Sequence, residues 1–169
     1  MTVIVRDAAE TDLPGILDIY NDAVLHTTAT FDEAVRTLEH RRMWFAEHQQ
    51  TGFPVYVAVD DRGRVVGWSS LSRFNIRSGW RFTAENSIYV AADCRGQGLG
   101  KLLLAPLLTA AERLGLRAIL AVIDSENTAS IRLHGRFGFA EVGRFKQVGF
   151  KFNQWRDVVY LEKLVDKIC

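Results

Sequence analysis

Arg95-Gly96-Gln97-Gly98-Leu99-Gly100-Lys101 is the stretch of this chain whose residue types and spacing best suit holding a ligand. Its glycines let the backbone take conformations closed to other residues and leave no side chain between amide N–H groups and a bound group. Where a helix begins in such a turn, its first N–H groups lack intrahelical partners and its dipole adds positive potential, which suits a phosphate or pyrophosphate. Arg95 and Lys101 strengthen that preference. The same residues also make a plain tight turn, and their spacing is not the Gly-x-Gly-x-x-Gly of dinucleotide folds. Upstream, Glu85 stands in Thr83-Ala84-Glu85-Asn86-Ser87. A carboxylate in a strand either pairs with a cation, here Arg77 or Arg81, or acquires the raised pKa that a general base near neutral pH requires. His134, flanked by Arg132 and Arg136, reads on residue type as a surface or capping group.

These residues need elements to hold them. Ile88, Tyr89 and Val90 read as a strand entering the turn, and Lys101 to Leu114 as a helix leaving it, with Leu104, Leu107, Leu108 and Ala111 at helical spacing. Before them come a strand over Thr2 to Arg6 and a helix capped at Thr11-Asp12 with Leu13, Ile16, Leu17, Tyr20 and Val24 on one face. A polar loop, His26 to Asp32, serves as a connector or as one wall of a pocket. A second helix over about Val35 to Gln50 carries Leu38, Met43, Trp44 and Phe45 as packing residues. Pro54 to Val59 and Arg64 to Leu71 are strands joined by a hairpin turn at Asp60 to Gly63. Arg73 to Arg81 mixes arginine with Phe74 and Trp80; it is a solvated basic loop, a clamp for a carboxylate, or a nucleic-acid contact. Leu116 to Ile123 reads as a buried strand, Thr128 to Phe137 as a short helix ended by Gly138, Lys146 to Arg156 as a connection, and Asp157 to Leu164 as the last strand. The pattern is one α/β domain over residues 1–169 with a mixed sheet.

Composition narrows the class. A formal net charge of +1, 48% hydrophobic and 24% charged residues describe an ordinary globular domain with a core of its own. General nucleic-acid binders are more basic. Cys94 and Cys169 form neither a metal-binding cluster nor a persuasive disulfide pair, so no metal and a reducing, cytoplasmic setting are expected. The N-terminus lacks the pattern of a signal peptide, and no apolar run approaches membrane-spanning length.

The segment Arg95 to Gly100, between a strand and a long helix, resembles the Arg/Gln-x-x-Gly-x-Gly/Ala signature of the GCN5-related N-acetyltransferases (GNAT). Asn127, Ser130, His134 and Gly138-Phe139 follow that family's next motif, with histidine where many members carry tyrosine. Tyr20 to Val24, Thr28 to Phe31, Arg77, Trp80, Thr83 to Val90, and Val148 to Phe152 with Trp155-Arg156-Asp157 are similar to its phosphinothricin and methionine sulfone/sulfoximine acetyltransferases. The resemblance implies a mostly antiparallel twisted sheet flanked by helices, with splayed central strands binding CoA. It implies acetyl-CoA as co-substrate, held by Ile88, Tyr89 and Val90 through their backbone, by Arg95, Gly96, Gln97, Gly98, Leu99, Gly100 and Lys101 at the pyrophosphate, and by Asn127 at the pantetheine arm. Glu85 and His134 would be the catalytic pair, and Val90 N–H would polarise the thioester. Arg77 and Arg81 would hold the acceptor's acid group, with Thr28, Phe31, Phe74 and Trp80 shaping the pocket. A homodimer is implied too. A protein or peptide acetyltransferase, and a non-catalytic acyl-CoA sensor, are the competing readings.

Overall fold

Alternating apolar residues near the start of the chain form the edge strand β1 (Val3–Asp7) of a computed structural model that describes residues 2–165. Six more strands follow: β2 (Val55–Asp60), β3 (Val65–Arg73), β4 (Thr83–Val90), β5 (Ala118–Asp124), β6 (Ala140–Lys151) and β7 (Gln154–Leu164). They make one sheet in the order β1-β2-β3-β4-β5-β7-β6. Every neighbouring pair is antiparallel except β4 and β5. Cys169 lies outside the described residues.

Helices cover both faces. On one, α1 (Leu13–His26) and α2 (Leu38–Thr51) set Leu13, Ile16, Ile19 and Phe45 against Val55, Val57, Val59 and Trp68. On the other, α3 (Leu99–Arg113) packs Leu104, Leu107 and Ala111 against Leu71, Ala84, Ile119 and Leu161, and α4 (Thr128–Arg136) lies beyond it. Burial of each Val, Leu, Ile and Phe among them stabilises the fold by roughly 1.5–3 kcal/mol. In α2 the expected packing is met by Phe45, while Met43 turns to solvent.

The sheet opens at its centre. Parallel pairing of β4 with β5 runs from Thr83↔Ala118 to Glu85↔Leu120 and then stops. Past Glu85, β4 stays with β3 as far as Val90, and β5 continues along β7 to Asp124. The two strands diverge into a fork. Alternation then decides what faces it: the Ala91 N–H bonds to the Val66 carbonyl, so the odd-numbered residues of β4 satisfy β3 and the N–H groups of Ile88 and Val90 point into the fork.

Lys146 to Arg156, expected as a connection, is instead the long end of the β6–β7 hairpin, closed by Lys151↔Gln154. Phe152 and Asn153 turn it with φ of 51° and 58°, the left-handed pair of a two-residue hairpin that usually announces itself as Asn-Gly. Most of β6 is exposed on both faces, so the period-two signal is missing as well. The hairpin reaches back to the loop between α1 and α2: buried Lys151 donates from Nζ to the Thr30 carbonyl at 2.6 Å. Next to it, the Phe31 ring lies on the backbone of Gly149, where an added Cβ would meet ring atoms at 2.5–3.0 Å. Gly149→Ala is therefore expected to cost about 1–3 kcal/mol in denaturant unfolding, because a rigid ring cannot yield as a flexible chain end does.

Candidate active site

The N-terminus of α3 forms the floor of a groove. Gly98 caps the helix at φ +84°, a conformation that costs other residues strain. The turn thus aims the free N–H groups of the first helical residues outward. A cavity of about 950 Å³ runs over this turn, between Ile88, Tyr89 and Val90 on the β4 side and Asn127, Ser130 and Leu133 on the α4 side. Arg95, Gly96, Gly98, Leu99, Gly100 and Lys101 all line it; Gln97 does not, and its side chain donates to the Asp93 carbonyl at 3.3 Å. Arg95 is held ready at the rim, donating from Nε to the Val90 carbonyl at 3.2 Å and from Nη2 to Asp22 at 3.1 Å. Asn127 caps α4, its Oδ1 accepting from Ser130 N–H at 3.1 Å. Thr28 belongs to the wall of this same groove.

A smaller cavity of about 90 Å³ occupies the fork itself and is lined by Glu85, Asn86, Tyr89, Asp124 and His134, among others. Glu85 and His134 border it from opposite faces of β4. The pleat sends Ala84, Asn86 and Ile88 to the α3/α4 face, and Glu85, Ser87 and Tyr89 to the α1/α2 face. His134 is 3% exposed and meets the strand through Asn86, whose Nδ2 lies 2.9 Å from His134 Nε2. Its Nδ1 is 2.9 Å from the Ser130 carbonyl, an acceptor only. Nδ1 therefore carries the proton, Nε2 accepts from Asn86, and the ring is neutral. Burial pushes its pKa down, against the opposing carbonyl of Ser130.

Glu85 is half-buried, pairs across the sheet with Ser72, and has no ion-pair partner among the described residues. Burial alone pushes its carboxyl above the usual carboxylate range. Neither Arg77 nor Arg81 reaches it. Both are exposed on the loop that follows β3, where Arg81 donates to the Ser78 carbonyl and lies 4.4 Å over the Phe82 ring. Phe74 and Trp80 pair with each other at 5.3 Å on that loop, and Trp80 remains 44% exposed. Phe74, Arg77, Trp80, Arg81 and Phe31 line neither cavity. Of the residues expected at the acceptor, all but Thr28 thus stand apart from both cavities within this chain.

The face carrying Glu85 holds features that the sequence did not disclose. His48 of α2 is buried, bonds through Nδ1 to the Trp44 carbonyl at 2.8 Å, and reaches Ser72 Oγ at 3.1 Å. Burial pushes its pKa down too. Histidines buried neutral contribute stability that is fully present above their ordinary value near 6.5 and lost as pH falls from there through their lower folded values. The unfolding midpoint is accordingly expected to be level above about pH 7 and to fall by several degrees by about pH 5. A His134→Gln variant should flatten that fall, and a midpoint independent of pH would contradict the neutral assignment. Arg41 is the second such feature, 3% exposed, with ring faces of Tyr20, Trp44 and Trp68 at 4.5, 4.6 and 5.5 Å. Each ring returns about 0.5–2 kcal/mol, against several kcal/mol for taking a cation out of water.

A mixed sheet forked between its two parallel strands, with a glycine turn opening the helix beside the fork, is the architecture of an acetyltransferase. Residues 16–139 match the Acetyltransferase (GNAT) family, and the chain belongs to it. It is 44% identical over 166 residues to the L-methionine sulfoximine/L-methionine sulfone acetyltransferase of Pseudomonas aeruginosa, covering 98% of this chain and 96% of that one. A phosphinothricin acetyltransferase from Sinorhizobium meliloti, solved in complex with acetyl-CoA, superposes with a TM-score of 0.94 at 37% identity, over 98% of this chain and 89% of that one. A ribosomal-protein-alanine N-acetyltransferase from Brucella melitensis gives 0.93 at 43% identity, over 95% and 99%.

Proposed function

We propose that this protein transfers the acetyl group of acetyl-CoA to the α-amine of a small amino-acid-like acceptor of the methionine sulfoximine, methionine sulfone or phosphinothricin type. The observation that carries this reading is Glu85, a half-buried carboxylate without a cationic partner among the described residues, placed where β4 and β5 part. The groove fits the co-substrate: N–H groups and Arg95 and Lys101 suit a pyrophosphate at one end, and the N–H groups of Ile88 and Val90 await an amide-bearing arm and a thioester at the other. The acceptor enters on the Glu85 face. An ammonium has no lone pair, so Glu85, directly or through one water, takes its proton. The amine attacks the thioester carbon, Val90 N–H stabilises the oxyanion, and the C–S bond breaks. The nitrogen of the intermediate gives up a second proton as the departing thiolate takes one. His134, neutral and accepting from Asn86, supports β4 on the opposite face through that bond and is not a standing acid.

The reaction draws on acetyl-CoA, a metabolite of the cell interior, which supports a cytoplasmic setting; no helix among the described residues is long and apolar enough to cross a membrane. A homodimer belongs to this reading, with the exposed Phe150–Trp155 pair at the β6–β7 hairpin available to a second copy. A second reading, acetylation of a protein N-terminus, is favoured by the Brucella neighbour's name. Mass spectrometry after incubation with acetyl-CoA, methionine sulfone and an alanine-terminated peptide decides: the small-acceptor reading requires the acetyl group on the sulfone. Acetyl on the peptide alone would replace it with the second reading, and an unconsumed acetyl-CoA complex would make the protein a sensor.

A further inference from the structure

We infer that Arg41, lying behind the aromatic wall of the fork, selects acceptors that carry a carboxylate; the inference rests on the acetyl-transfer reading above. Arg41 projects from α2 onto the sheet face that Glu85 occupies, and its guanidinium contacts the ring faces of Tyr20, Trp44 and Trp68. Its Nε has no hydrogen-bond partner among the described residues. Trp68 Nε1, in the same cluster, is the other buried side-chain polar atom without one among the described residues. The carboxylate that acts on Arg41 from a distance, Asp32, is already engaged by Tyr20 Oη and by Arg36 at 2.7 Å. A cation has therefore been buried against three ring faces, with no anion of its own among the described residues.

The position of the cluster gives the charge a use. Trp68 stacks on Tyr89 with ring centroids 4.7 Å apart and planes at 24°, and Tyr89 lines both the groove and the fork cavity. The positive charge stands one ring layer behind the cavity wall. Aromatic surroundings screen it weakly, and its charge acts on Tyr89, part of the wall an acceptor would meet. That charge attracts a carboxylate and disfavours an ammonium, so one residue draws in the acid end of an α-amino acid and favours the neutral, attacking form of its amine. Arg77 and Arg81 are exposed on their loop and line neither cavity. Arg41 is a selectivity residue that acts through space, and the ligand class it defines is a small α-amino carboxylate.

The test compares the unaltered protein with Arg41→Met on methionine sulfone and on its carboxamide, in which a neutral amide replaces the carboxylate, at saturating acetyl-CoA. With Arg41→Met, kcat/KM for the sulfone is expected to fall about ten- to hundredfold, mainly through KM, and that for the carboxamide to change by less than about threefold. The KM for acetyl-CoA stays in place, and Arg41→Lys, which keeps the charge, keeps most of the preference. Should Arg41→Met fail to fold, Arg41→Gln gives the same comparison. The unaltered protein supplies an independent reading: it must prefer the carboxylate at least about tenfold, and equal use of both acceptors overturns the inference whatever the variants do. A variant that loses activity on both acceptors alike overturns it too, leaving Arg41 a structural residue. Absence of turnover on either acceptor by the unaltered protein would instead remove the acetyl-transfer reading, and this inference with it.

Discussion

Glu85→Gln is expected to lower kcat about a hundred- to ten-thousandfold while acetyl-CoA binds as before. The carboxylate borders the fork cavity and not the groove over the glycine turn, so its loss removes a proton acceptor without touching the co-substrate's anchors. The pH profile identifies the cause. The ionised form is the base, so kcat/KM in the unaltered protein rises with pH through a carboxyl value that burial has raised and then levels; the glutamine variant lacks that limb. Stability moves the other way. A group whose folded pKa is raised contributes stability that is fully present below its unfolded value and lost as pH rises through the folded one. The ionised carboxylate is thus a burden on the fold at neutral pH, and Glu85→Gln should unfold at an equal or higher temperature than the unaltered protein. An inactive variant that is also unstable would point to a structural role.

Gly98→Val is expected to weaken acetyl-CoA binding about a hundredfold, read as Kd by titration calorimetry. At φ +84° a β-branched residue is strained, and relief of that strain rotates the first-turn N–H groups away from the anion. No heavy atom lies within 4 Å of a Cβ built there, so the effect comes from the backbone and the groove, not from a clash in the core. The acceptor's KM at saturating acetyl-CoA should move little. A variant with unchanged Kd would show that the turn is only a turn.

Local signals made the cofactor half of the site legible. Strand, glycine turn and helix are contiguous in the chain, and each is set by its own residues, so Arg95 to Lys101 could be read without knowing what lies opposite. The acceptor half depends on register. Whether Glu85 meets Arg77 or Arg81 is decided by where β4 stops pairing with β5 and by how the β3–β4 loop projects, and neither is written in residue type. Arg41 is harder still: Arg41 and Arg42 are adjacent in a polar helix, and only the crossing of α2 over Trp68 decides that the first is buried and the second exposed. Placing Glu85 and His134 on opposite faces of one strand follows from counting along the pleat once the strand's extent is known. The β6–β7 hairpin is not legible in the sequence because Phe-Asn is a poor announcement of its turn.

Acetyl transfer to a small acceptor is read out by release of free CoA thiol from acetyl-CoA with methionine sulfoximine, methionine sulfone, phosphinothricin, ordinary amino acids and a short peptide as acceptors. Saturable release with one or more of the first three, and none with the peptide, is the predicted result. Release with the peptide alone, or acetyl-CoA bound and never consumed, would contradict it.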